Sequence, residues 1–183
     1  MSARMTRRDF FRSSLLVGTG LSLSLPFLAR MQPETPDPSG LLEAEPGIPL
    51  ELSGMVRRVH DPAIIRAEDA YYLFSTGAGI PVRRSPDLLE WETAFPPTVF
   101  RSVPEWAREL IPGQNDIWAP DISYFNDKYH LYYSVSTFGS NRSVIGLATN
   151  VDLDPDSDDH QWVDEGLVVQ TTGVEDYNAI DPN

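Results

Sequence analysis

From about residue 59 onward, short runs of apolar and aromatic residues alternate with turns rich in Asp, Asn and Gly. The runs include AYYLFS (70–75) and YHLYYSVS (129–136), which are rich in Tyr, Phe and Val. Runs of this length and composition, bounded by turn residues, are typical of β-strands. One segment is helix-like, PEWAREL (104–110), where Pro stands in a tolerated first-turn position. The pattern therefore predicts an all-β fold.

The strand pattern itself repeats. HDPAIIRAEDAYYLFSTG (60–77) and WAPDISYFNDKYHLYYSVS (118–136) share a Pro, one residue, an Ile, a polar turn and an aromatic run. A third copy opens at AIDPN (179–183). Units of about sixty residues with four short strands predict propeller blades, here two blades and the start of a third. A compact β-sandwich is the alternative. Four pairs of residues are offset by 58 positions: Pro62 and Pro120, Ile64 and Ile122, Asp69 and Asp127, Leu73 and Leu131.

The first thirty residues carry an export pattern. A basic stretch precedes an apolar and small-residue run at 13–25, which is too short to span a bilayer but suits a signal peptide. RRDFF (7–11) resembles the twin-arginine export signal. We therefore predict a twin-arginine signal peptide at 1–30 and export to the periplasm or exterior of a bacterial cell. An ordinary secretory signal with a chance Arg pair is the alternative.

The next segment, 31–53, is polar and rich in Pro without apolar periodicity, which predicts a linker. Residues 54–183 are then the N-terminal part of a propeller domain. The net charge of −13 repels phosphate backbones, so nucleic acid is not an expected partner, whereas a neutral polysaccharide is compatible. The absence of Cys excludes thiol chemistry, and the three His show no zinc spacing. We expect no association with a membrane after signal removal.

Three Asp residues stand at the openings of the repeats, Asp61, Asp121 and Asp181, at intervals of 60 positions. Blade-opening strands line the central channel of a propeller, so these carboxylates are expected to converge. Converging carboxyl groups suit glycoside hydrolysis, in which one acts as base on water and another protonates the leaving oxygen. Neighbouring carboxylates also raise each other's pKa, which favours a protonated acid.

The segments HDPAII, YYLFSTG, WAPDISYFNDKYHLYYSVSTFGSNRSVIGLATN and NAIDPN resemble the endo-1,5-α-L-arabinanases of glycoside hydrolase family 43. The resemblance implies a five-bladed propeller that cleaves internal α-1,5 linkages of arabinan with inversion and requires no cofactor. It places Asp61 on the catalytic base and Asp181 on the Asp that tunes the pKa of the acid and orients it. The family's acid is a Glu of a later blade. The residues that hold calcium in many members also belong to later blades. The 183 residues alone are therefore expected to be inactive, and metal ligands are not expected among them.

The same resemblance implies a substrate cleft. Trp118 and Phe138 match cleft-lining rings, although blade packing is the alternative for each. Asp121 is structural in the family, and His60 is expected to pack or orient rather than react. DLDPDSDDH (152–160) predicts a solvated turn rather than a calcium loop. Two alternatives stay open: an exo-acting family-43 arabinofuranosidase, xylosidase or fructan-cleaving relative, and a non-catalytic sugar-binding propeller. The predicted substrate-binding residues are Asp61, Trp118, Phe138, Asn141, Asn178, Ala179, Ile180 and Asp181.

Overall fold

The computed structural model describes residues 50–183. The predicted signal peptide (1–30) and most of the predicted linker (31–53) lie outside these residues. Within 50–183 the chain forms nine strands and one short helix, and no helix there is long or apolar enough to cross a bilayer. The elements are β1 (Ser53–Gly54), β2 (Ala63–Ala67), β3 (Ala70–Phe74), β4 (Pro81–Ser85), β5 (Glu90–Thr98), α1 (Glu105–Leu110), β6 (Trp118–Phe125), β7 (Lys128–Ser136), β8 (Arg142–Asn150) and β9 (Val163–Thr172).

The strands form two sheets, one from each sequence repeat. The first has the order β1-β5-β4-β3-β2, and the second has the order β6-β7-β8-β9. Apart from the short β1, which pairs parallel to β5, every neighbouring pair is antiparallel and consecutive in the chain. A four-stranded antiparallel meander is the architecture of a propeller blade. The prediction of four strands per repeat and one helix at 104–110 is confirmed.

The first hairpins of the two sheets match residue for residue. Each has a two-residue turn, and Asp69 and Asp127 occupy the second turn position. In the second hairpin, both turn residues have a positive φ, 49° at Asn126 and 59° at Asp127. Asn and Asp tolerate this conformation, which suits a tight hairpin. Residues 58 positions apart in the sequence therefore occupy equivalent positions in the two hairpins, as the cross-strand pairs Ile64–Leu73 and Ile122–Leu131 show.

The core lies between the two sheets. Tyr72 and Phe74 of β3 and Leu131 and Val135 of β7 are all buried in one hydrophobic cluster. Burial of apolar side chains on both sheets drives the sheets together, at roughly 25 cal/mol per Å². The first strands of the two sheets, β2 and β6, lie next to each other. Both repeat openings therefore meet at one end of the sheets.

Tyr133 of β7 is the largest fully buried side chain, with 0% exposure. Its Oη donates a hydrogen bond to Asp164 Oδ1 at 3.0 Å, and its ring packs edge-on to Phe100 at 5.2 Å between centroids. Trp106 of α1 donates to the other oxygen of Asp164 at 2.9 Å. Burial raises the pKa of Tyr133, and the negative charge of Asp164 adds to the effect. Gly146 of β8 leaves room for the tyrosine ring.

Candidate active site

An open cleft of about 490 Å³ lies at the end of the two sheets where β2 and β6 begin. It brings together residues from both repeats and from the start of the third copy. Five of the eight predicted site residues line it, and three do not. The lining residues are His60, Asp61, Thr76, Gly77, Asp116, Trp118, Phe138, Ile180 and Asp181.

Asp61 stands two residues before the start of β2, with φ +47°. Its Oδ2 accepts a hydrogen bond from the Thr76 hydroxyl at 2.8 Å and lies 2.7 Å from His60 Nδ1. Within residues 50–183, no hydrogen bond reaches Oδ1 of this carboxylate. One oxygen is therefore held by two neighbours, while the other is available to a water or ligand in the cleft.

Asp181 stands at the opening of the third copy with φ +53°. Its backbone N–H donates to the Ser134 hydroxyl at 3.0 Å, which ties this residue to β7 of the second sheet. Its side chain is exposed in the cleft that Asp61 also lines. The structure thus brings together the two carboxylates that the resemblance assigned to catalysis.

The third aspartate of the series lies elsewhere. Asp121 is inside β6, opposite Tyr132, and lines a separate cavity rather than the cleft. The position that matches Asp61 and Asp181 is Ala119, which also precedes a Pro and has φ +40°. The expected convergence of Asp121 with the other two is therefore wrong. The repeat offset between the first two copies is 58, so the interval of 60 residues to Asp121 is two positions out of register.

Two aromatic rings border the cleft. Trp118, at the start of β6, is half-buried, whereas Phe138, in the loop after β7, is 94% exposed. Their ring centroids are 4.8 Å apart with an angle of 39° between the ring planes. A strongly exposed ring beside a half-buried one offers apolar surface to a ligand, because burying a Phe side chain contributes about 1.5–3 kcal/mol.

Three predicted substrate-binding residues do not line the cleft. Asn178 accepts a hydrogen bond from the Ser143 hydroxyl, and Asn141 donates to the backbone carbonyl of Glu175 at 3.4 Å. Ala179 is buried. The two hydrogen bonds anchor the segment before Ile180 and Asp181 to β8 and to the residue that precedes this strand. Contact of these three residues with substrate stays a prediction.

Thr76 and Asp116 line the cleft but were not among the predicted site residues. The signal for Thr76 was present, because Ser134 carries a hydroxyl at the matching position 58 residues later. Both hydroxyls accept a backbone N–H from the opening of the next copy, Ala119 for Thr76 and Asp181 for Ser134. Asp116 is an exposed loop residue, and no pattern in the sequence marks it.

Residues 50–183 contain no group of three or more His, Asp or Glu arranged to hold a metal ion. In the acidic loop 152–160, backbone N–H groups donate hydrogen bonds to carboxylates. Asp154 N donates to Asp152 Oδ1 at 2.9 Å. This hydrogen bond is the chief reason why the pKa of Asp152 is lowered. Calcium bound by later blades stays a prediction.

The family model for glycosyl hydrolases family 43 matches residues 55–183. The chain belongs to glycosyl hydrolase family 43. It is 43% identical over 126 residues to an extracellular exo-α-(1→5)-L-arabinofuranosidase of Cellvibrio japonicus. It is 42% identical over 130 residues to an extracellular endo-α-(1→5)-L-arabinanase of Bacillus subtilis. Each match covers 68% of this chain, which spans 36% and 38% of the lengths of these relatives.

A solved structure supports the same fold. The α-L-arabinanase of Cellvibrio cellulosa, complexed with arabinohexaose, matches with a TM-score of 0.64 and 40% identity. The match covers 68% of this family-43 chain and 39% of the arabinanase. Family-43 arabinanases are five-bladed β-propellers, so the two sheets are two blades of that fold. The predicted fold class is confirmed.

Proposed function

We propose that the whole protein containing this chain is an inverting glycoside hydrolase that cleaves internal α-1,5-arabinofuranosyl linkages of arabinan. The observation that carries the proposal is the cleft in which Asp61 and Asp181 lie with the ring pair of Trp118 and Phe138. Two similar proteins are named for action on α-(1→5)-L-arabinan linkages, and a similar structure holds arabinohexaose.

Asp61 is the general base of this proposal. With Oδ2 held by Thr76 and His60, Oδ1 takes a proton from water as the water oxygen attacks the anomeric carbon. The glycosidic C–O bond breaks as a carboxylic acid protonates the leaving oxygen, and attack of the water from the opposite face of the sugar ring inverts the configuration. In this proposal the acid is a Glu outside the 183 residues. Asp181 tunes the pKa of that acid and orients it.

Substrate binding rests on the two rings and on the 178–181 loop. Arabinofuranose presents apolar C–H faces that pack on flat rings, and its hydroxyls need hydrogen-bond partners once they leave water. Asn178 and Asn141 hold other parts of the chain and do not line the cleft, whereas Ile180 and Asp181 do. Acid–base hydrolysis of this kind requires no cofactor.

Exo-action is the second candidate, because one of the relatives is named an exo-acting arabinofuranosidase. The two modes differ in their products. An endo-enzyme releases a spread of oligosaccharides and lowers viscosity early, whereas an exo-enzyme releases one short product from the first minutes.

We further propose that the protein is exported through residues 1–30, in line with the word extracellular in the names of both relatives. Export would bring the cleft to its polysaccharide substrate outside the cytoplasm.

The test is hydrolysis of linear α-1,5-arabinan by the purified whole protein, with product lengths followed over time and the anomer of the first product determined by NMR. The Asp61→Asn variant is the control, because it keeps the shape of the side chain but cannot accept the proton. Mixed oligosaccharides of inverted configuration support the proposal. Binding of arabinan without hydrolysis by the parent would instead establish a sugar-binding propeller, and retention of configuration would refute the mechanism.

A further inference from the structure

The hydroxyl of Thr76 makes two hydrogen bonds at the cleft, one to each blade. It donates to Asp61 Oδ2 at 2.8 Å and accepts the backbone N–H of Ala119 at 2.8 Å. The backbone N–H of Thr76 also donates to the carbonyl of His60 at 3.0 Å. Thr76 therefore joins the residue pair before β2 to the opening strand of the second blade.

The direction of the hydroxyl proton follows from these contacts. A threonine hydroxyl has one proton and two acceptor lone pairs. Because the Ala119 N–H occupies a lone pair, the proton is free to point to Asp61. The rotation of the Asp61 carboxylate is thereby fixed relative to the backbone of the second blade.

The aromatic wall of the cleft is fixed by the same segment. Trp118 is flanked by Ala119, which donates to Thr76, and by Ile117, which exchanges two backbone hydrogen bonds of 3.0 Å with Gly77. One short stretch, Thr76–Gly77, therefore sets both the carboxylate and the neighbouring indole.

The arrangement occurs a second time in the fold. Ser134 is 58 positions after Thr76, and its hydroxyl accepts the N–H of Asp181, the residue that matches Ala119. At the openings of the second and third copies, a side-chain hydroxyl of the preceding blade thus accepts a hydrogen bond from the opening backbone. In the first blade alone, that hydroxyl also reaches a carboxylate of the cleft.

We propose that Thr76 is a positioning residue of the hydrolysis, which holds Asp61 Oδ2 so that Oδ1 faces the attacking water. The assignment rests on the proposed function in that it takes Asp61 as the general base. Ser134 performs the related task for Asp181 through its backbone N–H.

The test uses a crossed pair of variants in the whole protein. Thr76→Val keeps the size and the methyl group but removes the hydroxyl, whereas Thr76→Ser keeps the hydroxyl and removes the methyl group. Thr149→Val is the matched control, since it removes a hydroxyl–carboxylate hydrogen bond of 2.7 Å to Glu165 from a residue that does not line the cleft. The measurements are kcat and KM on linear arabinan, with the melting temperature of each variant.

We expect Thr76→Val to lower kcat about ten- to hundredfold, the range that loss of a hydrogen bond to a charged group supports. We expect its KM to change by less than about threefold, because the interaction acts on the base rather than on bound sugar. Thr76→Ser and Thr149→Val should each keep kcat within about threefold of the parent. A kcat for Thr76→Val equal to or above that of Thr76→Ser would overturn the proposal, because packing of the methyl group would then be what matters.

Failure of the proposed function can be told apart from failure of this inference. If the parent does not hydrolyse arabinan, crystal structures of the parent, Thr76→Val and Thr76→Ser decide the positioning role. Rotation of the Asp61 carboxylate in Thr76→Val alone supports it. An Asp61 carboxylate in the same place in all three structures overturns it.

Discussion

Gly146 is a position where one added methyl group should disturb the core, because it faces a fully buried ring. A Cβ atom at Gly146 would lie 2.5 Å from Tyr133 Cζ, 2.6 Å from Oη and 2.8 Å from Cε2. Ordinary contacts between such atoms begin near 3.4 Å. The ring would therefore have to move by roughly 1 Å, and a rigid, fully buried ring has no free space to enter.

The cost of that movement follows from what holds the ring. Overpacking of a core costs about 1–3 kcal/mol. A shift of the ring also stretches the 3.0 Å hydrogen bond from Tyr133 Oη to Asp164, and an unsatisfied buried hydroxyl costs about 1–3 kcal/mol. We therefore expect Gly146→Ala to lower the free energy of unfolding by about 2–6 kcal/mol.

The assay is urea unfolding of the whole protein with and without Tyr133→Leu, which removes the ring. In that background Gly146→Ala should cost less than about 1 kcal/mol, because Gly in a strand is itself less favourable than Ala by about 0.5–1 kcal/mol. An equal cost in both backgrounds would refute the reasoning, since the penalty would then not come from contact between the added methyl group and the tyrosine ring.

Three further predictions concern other residues. The pKa of Tyr133 is raised from its ordinary value of 10.0, so the stability that this residue contributes is present below pH 10.0 and is lost as the pH rises towards the folded-state pKa. Tyr133→Phe should therefore weaken the decline of the free energy of unfolding above about pH 10. Urea unfolding at a series of pH values measures this decline, and an unchanged slope would contradict the prediction. Asp61→Asn in the whole protein should lower kcat about 10²–10⁴-fold while arabinan binding, measured by calorimetry, persists; near-normal turnover would remove Asp61 from the mechanism. Replacement of Arg7 and Arg8 by Lys should block export, measured by fractionation of cells, and undiminished export would exclude the twin-arginine route.

The blade architecture could be predicted because residues close together in the sequence determine it. Each hairpin places a turn of two residues between short aromatic strands, so the period and the pairing both follow from nearby residues. The offset of 58 between Ile64 and Ile122 in the sequence is the offset between matching cross-strand pairs in the structure. Resemblance to a family added the closure to five blades, which no residue of the repeats encodes by itself.

The site was less accessible to the same reasoning. Equal spacing suggested Asp121, but the backbone conformation selects Ala119, which shares its positive φ with Asp61 and Asp181. The three openings share a positive φ at the residue before Pro, and at Ala119 and Asp181 the backbone N–H also donates to a hydroxyl of the preceding blade. A count of residues between like side chains contains neither of these.

Thr76 illustrates why contacts between blades are hard to predict from sequence. Its partners, Asp61 and Ala119, lie 15 and 43 positions away on opposite sides along the chain. Nothing in the composition around a threonine after a strand indicates such partners, and Thr is common in strands for its β-branched shape alone. Comparison of the two repeats does reveal it, because Thr76 and Ser134 share only the hydroxyl, and both hydroxyls accept an N–H from the next opening. A chemical group that is kept between two copies while the rest of the side chain changes points to its hydrogen bond, and here that bond leads to the cleft.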